Sequence, residues 1–95
     1  RPCDATETQA AWYSAVTSKS TPTALVLSRQ NLEPMKGSSK EALKGGYVLE
    51  DCEGTPDVIL IATGSEVGLA VKAKAELEKD GMKIRVVIHA LYGSL

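Results

Sequence analysis

The sequence has no block of like charge, no long apolar run and no cysteine cluster, and each absence removes a class of function. Eleven basic residues stand against twelve acidic ones, for a net charge of -1. A nucleic-acid binder needs a basic footprint to neutralise phosphates, and none is present. The longest apolar run, Val58 to Thr63, falls far short of the roughly 20 residues that span a bilayer. No signal-peptide pattern opens the chain. A soluble protein without membrane or nucleic-acid partners is therefore expected. Cys3 and Cys52 lie far apart with no CxxC and a single histidine, His89, so neither a metal site nor a disulfide framework is indicated. Two reduced thiols suit a cytosol-like compartment. There is no internal repeat or low-complexity tract. At 95 residues the chain suits one small domain and is too short for a complete enzyme with a deep cofactor pocket. It opens on Arg1 rather than methionine and stops at Leu95 just after a predicted strand, which points to a piece of something longer.

What is present reads as α/β. Asp4 is placed to cap a helix, and Glu7, three residues on, to reach back as in a capping box. The helix is predicted from about residue 5 to 18, with Thr8, Ala11, Trp12, Ala15 and Val16 forming an apolar face at spacings of three and four. Ser18 to Pro22 breaks it. Residues 23–28, TALVLS, are short and continuously apolar, as in a strand buried on both faces. From Leu32 to about Pro56, prolines, glycines and an acidic run mark a linker in which only Tyr47-Val48-Leu49 suggests a strand. The last third predicts a buried strand over 57–63, a turn at Gly64-Ser65, a helix from Glu66 to about Asp80, a stop at Gly81 and a strand over 83–88. That is one βαβ unit with parallel strands. Val67, Ala70, Val71 and Leu77 are expected against the sheet, with Lys72, Lys74, Glu76, Glu78 and Lys79 in water.

Few residues offer chemistry. Arg29 ends the apolar run, and in a parallel sheet the C-terminal strand edge is where ligands bind. Its guanidinium fork matches phosphate or carboxylate, with Gln30 and Asn31 available to bond hydroxyls; the plainer alternative is an internal ion pair. The turn Thr63 to Gly68 lacks both the GxGxxG spacing and the lysine of a P-loop, so Ser65 as cap, Glu66 against the helix dipole and Gly68 for close packing explain it more simply. Glu66 has no partner for acid–base work, and His89 has no nucleophile at a matching spacing. Trp12 and Tyr13 suit core or interface better than base stacking.

Three blocks in order, Arg1-Pro2-x-Asp4-Ala5-x-Glu7-Thr8, then PTALVLSRQNL over 22–32, then PDVILIATGSEV over 56–67, closely resemble transketolases across about residues 1–87. The resemblance divides the chain into 1–32, the end of the pyrimidine-binding domain; 33–56, a linker; and 57–95, the start of the C-terminal domain. The implied fold is α/β, the end of one parallel-sheet domain followed by a βαβ unit of a second. The resemblance implies a transferase of the pentose phosphate pathway that moves a two-carbon ketol unit from a ketose phosphate to an aldose phosphate. It further implies thiamine diphosphate, a divalent metal such as Mg2+ or Ca2+, and a homodimer. Arg29 matches, residue for residue, the family arginine that binds the substrate phosphate.

The family's metal ligands, diphosphate-binding residues and activating glutamate all fall outside this chain. No catalytic, cofactor or metal residue is therefore assigned, and the chain alone is expected to be inactive. Close relatives such as dihydroxyacetone synthase stay open. So does a noncatalytic chain acting as an interaction module, with a stand-alone nucleotide-binding βαβ module more remote. A cytoplasmic location is expected, with a plastid the alternative if a transit peptide lies upstream.

Departures from the family are Cys3 and Thr6, where alanine and asparagine are usual, and the tail. Where Ser-Met-Pro-Ser is usual, residues 88–91 read Ile-His-Ala-Leu. Codons such as ATC-CAT-GCC-CTC, which spell Ile-His-Ala-Leu, give Ser-Met-Pro-Ser when read one base later, so residues 88–95 are expected to be frameshifted, and His89 and Tyr92 carry no functional weight.

Overall fold

In the computed structural model, which describes residues 1–90, two helices and three strands follow in the order α1 (Ala5–Thr17), β1 (Gly46–Glu50), β2 (Val58–Ala62), α2 (Val67–Glu78) and β3 (Ile84–His89). Short 3-10 turns occupy Lys40–Lys44 and Gly64–Glu66. The sheet order is β1-β3-β2. β2 and β3 run parallel, with Val58 opposite Ile84 and Ala62 opposite Ile88. α2 bridges them, so the expected βαβ unit is present, and the class is α/β. β1 pairs antiparallel with β3, Gly46 opposite His89, with a register shift between Val48 and Glu50. The stretch read as linker thus supplies an edge strand to the same sheet as β2.

The central strand alternates strictly, with Ile84, Val86 and Ile88 fully buried. Val86 and Ile88 pack with Val67 of α2, Leu49 of β1, and Cys3 and Ala10 from the N-terminal region. Gly81, at φ 81°, closes α2 as expected; its N–H donates to the Glu78 carbonyl at 3.0 Å.

Several expectations are corrected. Residues 23–28 are not a strand: the backbone there joins no sheet and the side chains are largely exposed. Among the described residues this run pairs with neither outer edge of the β1-β3-β2 sheet. An apolar run becomes a strand only where a partner satisfies its N–H and C=O groups. The predicted buried strand over 57–63 forms, but as an edge with one open face, where Ile61 is 71% exposed.

The apolar face predicted for α1 is only partly buried: Ala11 is buried, but Trp12 is 56% and Val16 76% exposed. The buried stripe is Cys3, Glu7, Ala10 and Ala11, because small alanines let α1 sit close to the 3-10 turn and Glu7 is satisfied by hydrogen bonds. On α2, Lys74 is 8% exposed rather than in water. It falls on the stripe 67, 70, 71, 74 and brings its Nζ to Glu78 at 3.0 Å, with its stem packed and its charge paired.

The whole is elongated. The radius of gyration, 14.0 Å, exceeds the roughly 12 Å of a compact chain of this length, in keeping with a segment from Ser18 to Pro34 that stands off the sheet.

Candidate functional site

Asp4 and Glu7 build the junction on which the candidate site rests. Asp4 caps α1, its Oδ1 accepting from the Glu7 N–H at 3.0 Å. Glu7 does reach back, but to the Cys3 N–H at 2.9 Å rather than to the cap residue itself. Its second oxygen accepts from the Tyr47 hydroxyl, which ties α1 to β1. This buried carboxylate and the surrounding desolvation push the Cys3 thiol and the Tyr47 phenol well above their ordinary values, with burial the larger cause for both. A thiol so placed is a poor nucleophile.

Arg29 lies exposed beyond this junction. The Ser28 hydroxyl accepts from the Gln30 N–H at 3.0 Å, a local turn that puts Arg29 at its tip. Among the described residues Arg29 makes no ion pair, whereas Arg1 pairs with Glu66 at 3.0 Å and Arg85 with Asp51 at 2.7 Å. Arg29 is exposed, which leaves its guanidinium open to solvent.

The turn after β2 differs in detail from expectation. Ser65 does not cap the helix; its hydroxyl donates to Glu66 Oε2 at 3.2 Å. The Glu66 backbone N–H, and then the Arg1 guanidinium and Ser65 hydroxyl, hold the Glu66 carboxyl below its ordinary value, so it stays ionised and makes a poor general acid. Gly68 is not needed for close packing, since a Cβ there would meet nothing within 4 Å. Gly64 is needed, having φ +58° and the Arg1 guanidinium 3.1 Å from where its Cβ would lie.

Two hollows flank this turn. A cleft of about 340 Å3 at the C-terminal ends of β2 and β3 is bordered by Arg1, Thr63, Glu66 and His89. A second, of about 460 Å3, lies between Asn31 and Leu32 on one side and Gly64, Ser65, Gly68 and Lys72 on the other. Sequence reasoning missed this second hollow, although one of its walls and the start of the other belong to the diagnostic blocks. It brings the end of SRQNL against the start of GSEV; Arg29 itself does not line it. Tyr92 lies outside the described residues, as do residues 91–95 of the proposed frameshift; residues 88 and 89 complete β3. Among the described residues no group of His, Cys, Asp and Glu is arranged to hold a metal ion, and neither hollow carries a diphosphate-binding donor set. The residues present do not fit thiamine diphosphate or its metal.

A parallel strand–helix–strand unit, an antiparallel edge strand and an exposed arginine-tipped loop define an α/β segment. Comparison makes the assignment specific. Residues 45–91 match the family model described as the transketolase-like TK C-terminal domain. The chain is 53% identical over 90 residues to transketolase 2 of Vibrio parahaemolyticus, covering 92% of this chain and 14% of that protein. It is 60% identical over 88 residues to a probable transketolase of Streptococcus pneumoniae, 92% of this chain and 13% of that one. A Pichia stipitis transketolase variant solved with xylulose 5-phosphate superposes with a TM-score of 0.88 at 51% identity, over 94% of this chain and 13% of that structure. The chain belongs to the transketolase family, and spans about one seventh of the length of these relatives.

Proposed function

We propose that this chain is a segment of a transketolase that transfers a two-carbon ketol unit from a ketose phosphate to an aldose phosphate, and that Arg29 grips the substrate phosphate. The observation that carries the reading is Arg29 itself: an arginine at the tip of a local turn, exposed and without a carboxylate partner among the described residues. A bidentate guanidinium orients a sugar phosphate at a distance from the reacting carbonyl, so binding energy far from the chemistry fixes the position of the atoms that react.

The parent uses thiamine diphosphate and Mg2+ or Ca2+ as a homodimer, with those ligands contributed outside these residues. Residues 1–32 close its pyrimidine-binding domain, 33–56 link, and 57–95 open its C-terminal domain, with 88–95 a frameshifted tail that the coding DNA would reveal. The location is cytoplasmic. The outward faces of α1 and β2 favour a segment that packs against further protein, which suits the parent enzyme and equally a noncatalytic interaction module.

In the full-length enzyme, Arg29→Ala raises KM for a ketose phosphate about 10- to 100-fold, the loss expected of a charge-assisted hydrogen-bond pair, and leaves KM for the same ketose without phosphate nearly unchanged. Equal effects on both substrates would remove Arg29 from the phosphate site. Turnover by the 95-residue chain supplied with thiamine diphosphate and magnesium would overturn the assignment of catalysis to residues elsewhere.

A further inference from the structure

The Asp4 carboxylate does more than cap α1. It is 6% exposed, and besides the Glu7 N–H it accepts two donors from far along the chain: the Met35 N–H to Oδ2 at 2.8 Å and the Ser38 hydroxyl to Oδ1 at 2.9 Å. The Ser38 N–H donates to the Met35 carbonyl at 3.1 Å, so residues 35 and 38 are presented to Asp4 together by one turn. A helix cap needs only the first of these bonds.

The stretch between α1 and this turn has no comparable hold. Among the described residues, no backbone-to-backbone hydrogen bond involves residues 19–34. Arg29 sits inside that stretch, six residues before Met35. Six free residues reach roughly 20 Å, far more than a bidentate phosphate contact tolerates. The intervening chain is not free, because Leu32 is half-buried against the second hollow and Pro34 fixes its own φ and restricts the residue before it. The position of Met35 is thereby passed back toward Arg29.

We propose that Asp4 is a positioning residue for substrate-phosphate binding: by clamping Met35 and Ser38 it fixes the C-terminal anchor of the loop that presents Arg29. This rests on the reading of Arg29 as the phosphate ligand. Asp4 touches no substrate; it sets where the guanidinium stands.

The test uses the full-length enzyme with three variants, each assayed on a ketose phosphate and on the same ketose without phosphate. Asp4→Asn keeps one acceptor but turns an NH2 toward a donor that Asp4 now satisfies. It is expected to raise KM for the phosphorylated substrate about tenfold, a part of the about 100-fold that a 1 Å misplacement can cost, with KM for the unphosphorylated one within about twofold. Ser38→Ala removes one clamp bond while leaving the cap intact, and is expected to raise the phosphorylated KM by about two- to fivefold. It keeps the proposal testable if Asp4→Asn does not fold. A drop in Tm with no selective rise in KM makes Asp4 a cap only and overturns the proposal. Arg29→Ala separates the two readings: if it shows the phosphate-selective effect and the clamp variants do not, the clamp alone fails; if it shows none, the phosphate reading fails and the clamp with it.

Discussion

Two stretches of this chain are nearly interchangeable in composition and opposite in structure. TALVLS over 23–28 and VILIA over 58–62 are both short, β-branched and leucine-rich. The second is a strand because β3 lies beside it and each of its five residues has a partner in register. The first joins no sheet and is largely exposed, with Val26 and Leu27 in the open. A strand is a property of a pair: propensity prepares the backbone, but the ladder decides, and the ladder depends on residues distant in sequence. Arg29 follows the unpaired run and Gly64 the paired one, so the two candidate regions differ in how firmly their own surroundings hold them.

The sharpest way to break the comparison is to truncate one apolar side chain on each side of it. Ile88→Ala removes a fully buried side chain from the central strand and is expected to cost about 2–5 kcal/mol. A chain this small has roughly 5–14 kcal/mol in all. Leu27→Ala, in the unpaired run, is expected to cost less than about 0.5 kcal/mol. Urea midpoints of the 95-residue chain measure both. Comparable losses at the two positions would mean that residues 23–28 are packed in solution.

How far the fold could be read from sequence follows the same division. The βαβ unit was legible because its signals are local: an apolar run, a turn, a helical stripe and Gly81. Lys74 was legible in principle, seven residues after Val67 on the same stripe, but its charge drew it to the solvent side of the reading. The face of α1 was not, because its packed side includes Glu7, whose burial depends on the Cys3 N–H and the Tyr47 hydroxyl, partners that no helical periodicity announces. Arg29 stood out as a residue type at a run's end, and the family resemblance gave it a role. The hollow between Asn31 and Gly64, and the reach of Asp4 to Ser38, join residues more than thirty positions apart and leave no local trace.

A second test bears on the junction that separates the two regions. The Cys3 thiol and Tyr47 phenol are neutral when protonated, and both are raised in the folded chain. The unfolded chain releases these protons near the ordinary values of 9.0 and 10.0, while the folded chain keeps them. Above pH 9 the unfolded state therefore binds fewer protons, and stability falls as pH rises. Their contribution is fully present below pH 9. Tm is expected to decline between pH 9 and 11, with Tyr47→Phe lessening the decline above pH 10. A Tm independent of pH up to 11 would contradict a buried Glu7–Tyr47–Cys3 cluster.

The smallest effect probes the ordered side alone, through two glycines of one turn. Gly64 holds φ +58° with the Arg1 guanidinium 3.1 Å from the position of an added Cβ. Alanine there must adopt a left-handed backbone and displace Arg1 from its pairing with Glu66, at a cost of about 1–2 kcal/mol. Gly68 is already within α2, and open space surrounds the place where its Cβ would go. Alanine at 68 introduces no contact and reduces the conformational entropy of the unfolded chain, a gain of about 0.5–1 kcal/mol. The pair should thus move the urea midpoint in opposite directions although they stand only four positions apart. A loss at Gly68 equal to that at Gly64 would show that the hollow beside Leu32 closes on α2 in solution, and would bring the unpaired segment down onto the ordered half.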